Sequence, residues 1–156
     1  MKVISKSLSN TIDIGKSIAK NLKANDIICL FGEFGSGKTV LTKGIGQGLG
    51  ILRGTVISPS FVLIRQYSRG RLPLYHFDLY RLKEHLDLMY LGHEEYLDAG
   101  GVVVVEWADR LRNLTPKEFL KIELSIRPGT RRLLEFSARG RRYKELLKRI
   151  HEDIRH

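Results

Sequence analysis

A single cysteine, Cys29, leaves the chain without the means to build a disulfide framework or a cysteine-based metal site. Such usage fits a reducing cytosol, and Cys29, set in an apolar run, reads as a small core residue. No apolar stretch approaches the roughly 20 residues that span a membrane. The N-terminus also lacks the apolar segment of a secretion signal. The expectation is therefore a soluble, cytoplasmic protein. Internal repeats, low-complexity tracts and long linkers are missing too, so residues 1–156 are expected to form one domain with a core of its own. Acidic residues are in short supply: Lys and Arg number 27 against 17 Asp and Glu, a net charge of +10. The deficit is concentrated from Arg110 onward, where 14 basic residues face 6 acidic ones. A basic final third suits either a polyanionic partner or a solvated charged face.

What the chain does have is glycine at a telling spacing. Gly32-Glu33-Phe34-Gly35-Ser36-Gly37-Lys38-Thr39 fits G-x-x-x-x-G-K-[ST]. The apolar run Ile27-Ile28-Cys29-Leu30-Phe31 precedes it and Val40-Leu41-Thr42-Lys43 follows, giving the strand, turn and helix that a phosphate-binding loop requires. Glycines let the turn close on a polyphosphate, and successive N–H groups plus the helix N-terminus favour an anion. In this pattern Lys38 bridges the β- and γ-phosphates of a nucleotide and the Thr39 hydroxyl ligates Mg²⁺.

Two further stretches end in carboxylates. Leu72 to Asp78 reads as a strand, with Leu74, His76 and Asp78 on one face and Tyr75 and Phe77 on the other. Val102-Val103-Val104-Val105-Glu106-Trp107 reads as a strand covered on both faces. Asp78 and Glu106 are the candidates for holding Mg²⁺ or polarising the attacking water. His76 reads as a hydrogen-bonded structural residue and Trp107 as a packed anchor beside the site.

Elsewhere, Val3 and Ile4 suggest an edge strand, and Ser9-Asn10-Thr11 offers an N-cap for a helix carrying Ile12, Ile18 and Leu22. Ser58-Pro59-Ser60-Phe61 bends into a strand and puts two hydroxyls where switch residues meet a γ-phosphate. Gly44, Gly46, Gly48 and Gly50 imply either a short helix or a neighbour at unusually close range. Two short helices broken at Gly92 precede the valine run. A hairpin turning at Pro128-Gly129-Thr130 and a basic amphipathic helix from Arg141 to His156 close the chain. The fold class is α/β: a mostly parallel sheet flanked by helices, as in P-loop NTPases, with an antiparallel hairpin near the C-terminus.

The P-loop, S-P-S-F (Ser58 to Phe61), H-F-D-L-Y-R-L (His76 to Leu82) and V-E-W (Val105 to Trp107), taken together, resemble the TsaE family, the P-loop ATPase subunit of bacterial tRNA threonylcarbamoyladenosine synthesis. Phe34 stands where that family usually has Leu, and Ser60, where it usually has Thr, keeps the hydroxyl. The resemblance implies a Mg²⁺-dependent ATPase, slow alone, that resets a complex of the TsaD transferase and its TsaB companion between turnovers. It also implies that Ser9, Asn10 and Thr11 contact the nucleotide, together with Gly32 to Val40 and Ser60. Lys38, Thr39, Asp78 and Glu106 take the phosphate and metal roles. The competing readings are a small P-loop kinase acting on a small acceptor, and a tRNA-binding module built on the basic final third. A GTPase lacks its [NT]-K-x-D motif here, and Asp98-Ala99-Gly100-Gly101 precedes a strand where the guanine-nucleotide motif follows one.

Overall fold

The computed structural model describes residues 1–57 and 63–155, the side chains of residues 85 and 86 excepted. Along the chain, β1 (Lys2–Ser5) leads to α1 (Leu8–Ala19), β2 (Ile27–Phe31), α2 (Lys38–Gly48), β3 (Ile64–Tyr67) and β4 (Leu74–Asp78). Then come α3 (His85–Tyr90), α4 (His93–Leu97), β5 (Val102–Glu106) and a 3-10 segment, Ala108–Leu114. The hairpin strands β6 (Phe119–Ile126) and β7 (Arg132–Arg139) and the helix α5 (Arg141–Arg155) complete it. The strands form one sheet in the order β1-β7-β6-β2-β5-β4-β3. Pairing is parallel through β6, β2, β5 and β4 and antiparallel at both flanks.

The valine run behaves as a doubly covered strand must. Val102 and Val104 join the core under α1, α2 and α5, while Val103 and Val105 join the core on the face of α3, α4 and the 3-10 segment. Both faces are sealed from water, which is why every residue of β5 is buried.

The glycines of α2 answer to close packing. A Cβ on Gly44 would strike the Ile12 carbonyl and lie 2.9 Å from Ile12 Cα, and one on Gly15 of α1 would sit 2.7 Å from the Leu41 carbonyl oxygen. The two helices thus meet backbone to backbone, with no flexible side chain that could yield. Gly44→Ala should therefore destabilise the protein by about 1–3 kcal/mol, although alanine favours helix by about 1 kcal/mol. Urea unfolding checks this: an unchanged or raised midpoint would contradict the packing account.

One expected boundary is corrected. The cap of α1 is Ser7, whose hydroxyl accepts from the Asn10 N–H at 3.1 Å, and the helix starts at Leu8, not after Ser9-Asn10-Thr11. Thr11 is buried inside the helix and bonds Ser5 Oγ at 2.7 Å.

At the other end of the chain, α5 is fastened to the start of β2. Arg142 pairs with Asp26 through Nε and an NH2 group, and the Tyr143 hydroxyl accepts from the Ile27 N–H at 2.8 Å. Part of the basic surplus is thereby committed to holding the P-loop strand. Burial pushes the Tyr143 phenol up from 10 to about 12. Its contribution to stability is complete below about pH 10 and drains as pH rises toward 12. Tyr143→Phe is expected to unfold more easily than wild type at pH 8, having lost the Ile27 bond, and to lose less of its stability between pH 8 and pH 11. Equal alkaline losses in the two proteins would contradict this assignment.

Candidate nucleotide-binding site

The carboxyl ends of β2, β4 and β5 lie side by side, the edge at which open α/β sheets bind ligands. β2 runs into the glycine-rich turn. There Gly35 (φ 78°) and Gly37 (φ 103°) take left-handed backbone that a residue with a Cβ resists. At Gly35 the demand is conformational alone, since a Cβ there would meet nothing within 4 Å. Gly37 caps α2 without a side-chain hydrogen bond, so the first-turn N–H groups of the helix point into the turn for an anion.

Lys38, at the first position of α2, folds back over this turn. Its Nζ donates to the Gly32 carbonyl at 2.6 Å and the Glu33 carbonyl at 2.9 Å, approaches Ser36 Oγ at 3.4 Å, and lies 4.1 Å from the centre of the Trp107 ring. Burial pulls the ammonium below the ordinary lysine range, while the carboxylates of Glu106, Asp78, Asp109 and Glu33 act against that shift. A cation held by two carbonyls and a ring, with little water, is poised for an anion.

Strand register places the two acids next to each other, Asp78 opposite Glu106. Both are buried. Glu106 Oε2 accepts from Thr39 Oγ1 at 2.9 Å, and Oε1 accepts from Thr42 Oγ1 at 3.0 Å and meets His76 Nε2 at 2.7 Å. Because Thr39 gives its proton to Glu106, its lone pairs remain for a cation. Asp78 Oδ1 accepts from the Tyr80 N–H at 3.0 Å. These donors fit Mg²⁺, a hard cation that takes one or two protein oxygens and completes its shell with phosphate and water. Among the described residues no group of three or more His, Cys, Asp or Glu could hold a metal alone.

A cleft of about 430 Å³ opens over this edge, within the range of small-molecule sites. It is lined by the turn (Phe34, Gly35, Gly37), by Lys38, Thr39 and Val40, by both acids, and by Thr11. Ser9 and Asn10 do not line it; Asn10 Oδ1 accepts from the Lys6 N–H instead. Gly32, Glu33 and Ser36 support the loop from behind, through the lysine contacts above. Ser60 and the S-P-S-F bend lie outside the described residues. Asp98 to Gly101 precede β5, at the opposite edge of the sheet from this cleft.

Leu8, Tyr80, Thr130 and Arg132 also line the cleft, and the sequence reading assigns none of them to the site. Arg132 arrives from β7 and donates to the Gly35 carbonyl at 3.3 Å. Phe34, Tyr80 and Trp107 form an aromatic row along the rim, with ring centres 6.0 Å and 5.0 Å apart, and Phe34 is 77% exposed. The positive φ of Trp107, 57°, sets the ring at the cleft as the chain leaves β5.

Comparison with known proteins settles the family. The family model described as threonylcarbamoyl adenosine biosynthesis protein TsaE matches residues 5–133. The chain belongs to the TsaE family. A Bacillus subtilis TsaE, named as a tRNA threonylcarbamoyladenosine biosynthesis protein, is 40% identical over 143 residues, covering 90% of this chain and 89% of its own. A Synechocystis TsaE is 42% identical over 111 residues, 69% of each chain. The crystal structure of Bacillus subtilis YdiB superposes with a TM-score of 0.85 at 36% identity, covering 97% of this chain and 94% of that one. This TsaE protein therefore has the α/β fold expected of it and a place in tRNA threonylcarbamoyladenosine biosynthesis. Among its described residues no helix is long and apolar enough to cross a membrane.

Proposed function

We propose that this TsaE chain binds and hydrolyses ATP with Mg²⁺ and that the cycle supports turnover of the TsaB–TsaD complex that threonylcarbamoylates tRNA. The observation that carries the reading is the Lys38–Thr39–Glu106 arrangement beneath the glycine-rich turn. A triphosphate entering the cleft meets the N–H groups at the start of α2. Lys38 leaves the Gly32 and Glu33 carbonyls for the β- and γ-phosphates, exchanging neutral acceptors for anionic ones, which form hydrogen bonds roughly twice as strong. Thr39 and Asp78 would hold Mg²⁺, with Glu106 fixing the Thr39 hydroxyl. When bound, the ion screens the phosphate charge that grows as the terminal bond breaks. Glu106 and Asp78 are the groups able to orient a water toward the γ-phosphate.

Trp107 is the only tryptophan and its ring touches the lysine that moves. Titrating ATP with Mg²⁺ should therefore change the intrinsic fluorescence saturably, with the same midpoint as the heat of binding. ATP without a divalent ion should bind more weakly. A flat calorimetric titration at millimolar MgATP would refute the proposal. The link to the partners is tested by ATP turnover with and without purified TsaB and TsaD, where stimulation is expected. For the basic surface, tRNA affinity measured across salt decides: a steep decline supports direct phosphate contact, and no binding at low salt excludes it.

A further inference from the structure

His76 is wholly buried on β4, and among the described residues its side chain makes one hydrogen bond, to Glu106. A carboxylate only accepts hydrogen bonds, so at 2.7 Å Nε2 carries a proton, and in the neutral imidazole Nδ1 is then an acceptor. That second nitrogen is buried with no hydrogen-bond partner among the described residues. A buried ring with one nitrogen left unsatisfied is costly as structure alone. The compensation is visible at Glu106. Oε1 is held from the sheet by His76 on β4 and from the helix by Thr42 on α2, so only Oε2 is left to face Thr39. One oxygen is anchored, and the other is aimed.

Resting on the ATPase reading above, we infer that His76 and Thr42 are positioning residues: they clamp Glu106 through Oε1 so that Oε2 holds the Thr39 hydroxyl in the orientation that hydrolysis needs. Without the clamp the carboxylate is free to rotate about its last torsion, which is broad for a glutamate. The hydroxyl of Thr39 then loses its fixed direction, while the phosphate-binding turn, built from backbone N–H groups and Lys38, is left intact. The clamp thus acts on turnover and not on nucleotide affinity.

The test has two arms. In the nucleotide-free protein, ring-nitrogen NMR should show His76 as the Nε2–H tautomer, with its ring signals displaced in Glu106→Gln. In single-turnover ATP hydrolysis with excess protein, His76→Leu should slow the rate roughly 10–100-fold, the range seen when the partner that orients a catalytic ligand is lost. Its MgATP dissociation constant should stay within about threefold of wild type, since turn and lysine are untouched. His76→Gln, which returns an N–H at a similar reach, should recover most of the rate. In a Glu106→Ala background His76→Leu should add nothing, because the group it positions is gone. An Nδ1–H tautomer, additive losses in the double variant, or no recovery with glutamine would overturn the inference, and the tautomer does so even if His76→Leu does not fold. A wild-type protein that shows the Nε2–H signature but no turnover would overturn the hydrolysis reading, and the positioning role with it. A wrong tautomer in an active protein would overturn the clamp alone.

Discussion

Lys38→Ala is expected to remove measurable ATP binding while the fold survives. The ammonium is seated inside the turn, where it is desolvated and bonded to Gly32 and Glu33. Each hydrogen bond to a charged group is worth about 1.5–3 kcal/mol, so losing contacts to two phosphates weakens binding by roughly 10²-fold or more. The fold is expected to survive because the hydrogen bonds lost are local ones, to carbonyls of the same turn. Calorimetry with MgATP and thermal unfolding, run on the same preparation, separate the two effects. A folded Lys38→Ala protein that hydrolyses ATP at the wild-type rate would discard the site.

Glu106→Ala should behave differently: nucleotide stays and hydrolysis goes. The phosphate cradle does not use Glu106, whereas the Thr39 hydroxyl depends on it for direction. A loss of roughly 10²–10⁴-fold in rate is the scale for removing a group that manages protons or water at the reacting centre. Deleting the carboxylate also strands the donors of His76 and Thr42, at about 1–3 kcal/mol for each buried group left unpaired. Glu106→Gln is therefore the companion variant, since its amide oxygen can still accept from both while its NH₂ cannot accept from Thr39. Loss of turnover in both variants with ATP retained fits this role; wild-type turnover in Glu106→Ala would make Glu106 a structural residue.

Much of this site is legible in the sequence because its chemistry is local. The strand, turn and helix around Gly32 to Thr39 are contiguous, and a β-branched run ending in an acid, Val102 to Glu106, reads as a buried strand with its carboxylate at the sheet edge. Pairing of Asp78 with Glu106 follows once two such strands lie parallel. Other parts depend on contacts far apart in sequence. Thr42 and His76 reach Glu106 across 64 and 30 residues, and nothing near either residue announces the carboxylate they share. Thr130 and Arg132 enter the cleft because β7 pairs with β6 beside β2, a strand order that periodicity does not reveal. The start of α1 was misplaced for a subtler reason. Ser5, Ser7, Ser9, Asn10 and Thr11 all offer capping groups, and the choice fell to Ser7 because Thr11 is drawn inward to Ser5. The glycine spacing of α2 signals close packing, and the crossing with α1 shows that a second backbone is the cause at Gly44 and Gly48, while Gly46 faces the Val56 and Leu74 side chains.

The most direct test of the central claim is a crystal structure of this chain with a non-hydrolysable ATP analogue and Mn²⁺ in place of Mg²⁺, the ion located by its anomalous signal. The account predicts the triphosphate wrapped by the turn from Gly32 to Thr39, with Lys38 released from the Gly32 and Glu33 carbonyls. The ion should lie at coordination distance from Thr39 Oγ1. Density for the analogue elsewhere, or an ion that ignores Thr39, Asp78 and Glu106 alike, would contradict it.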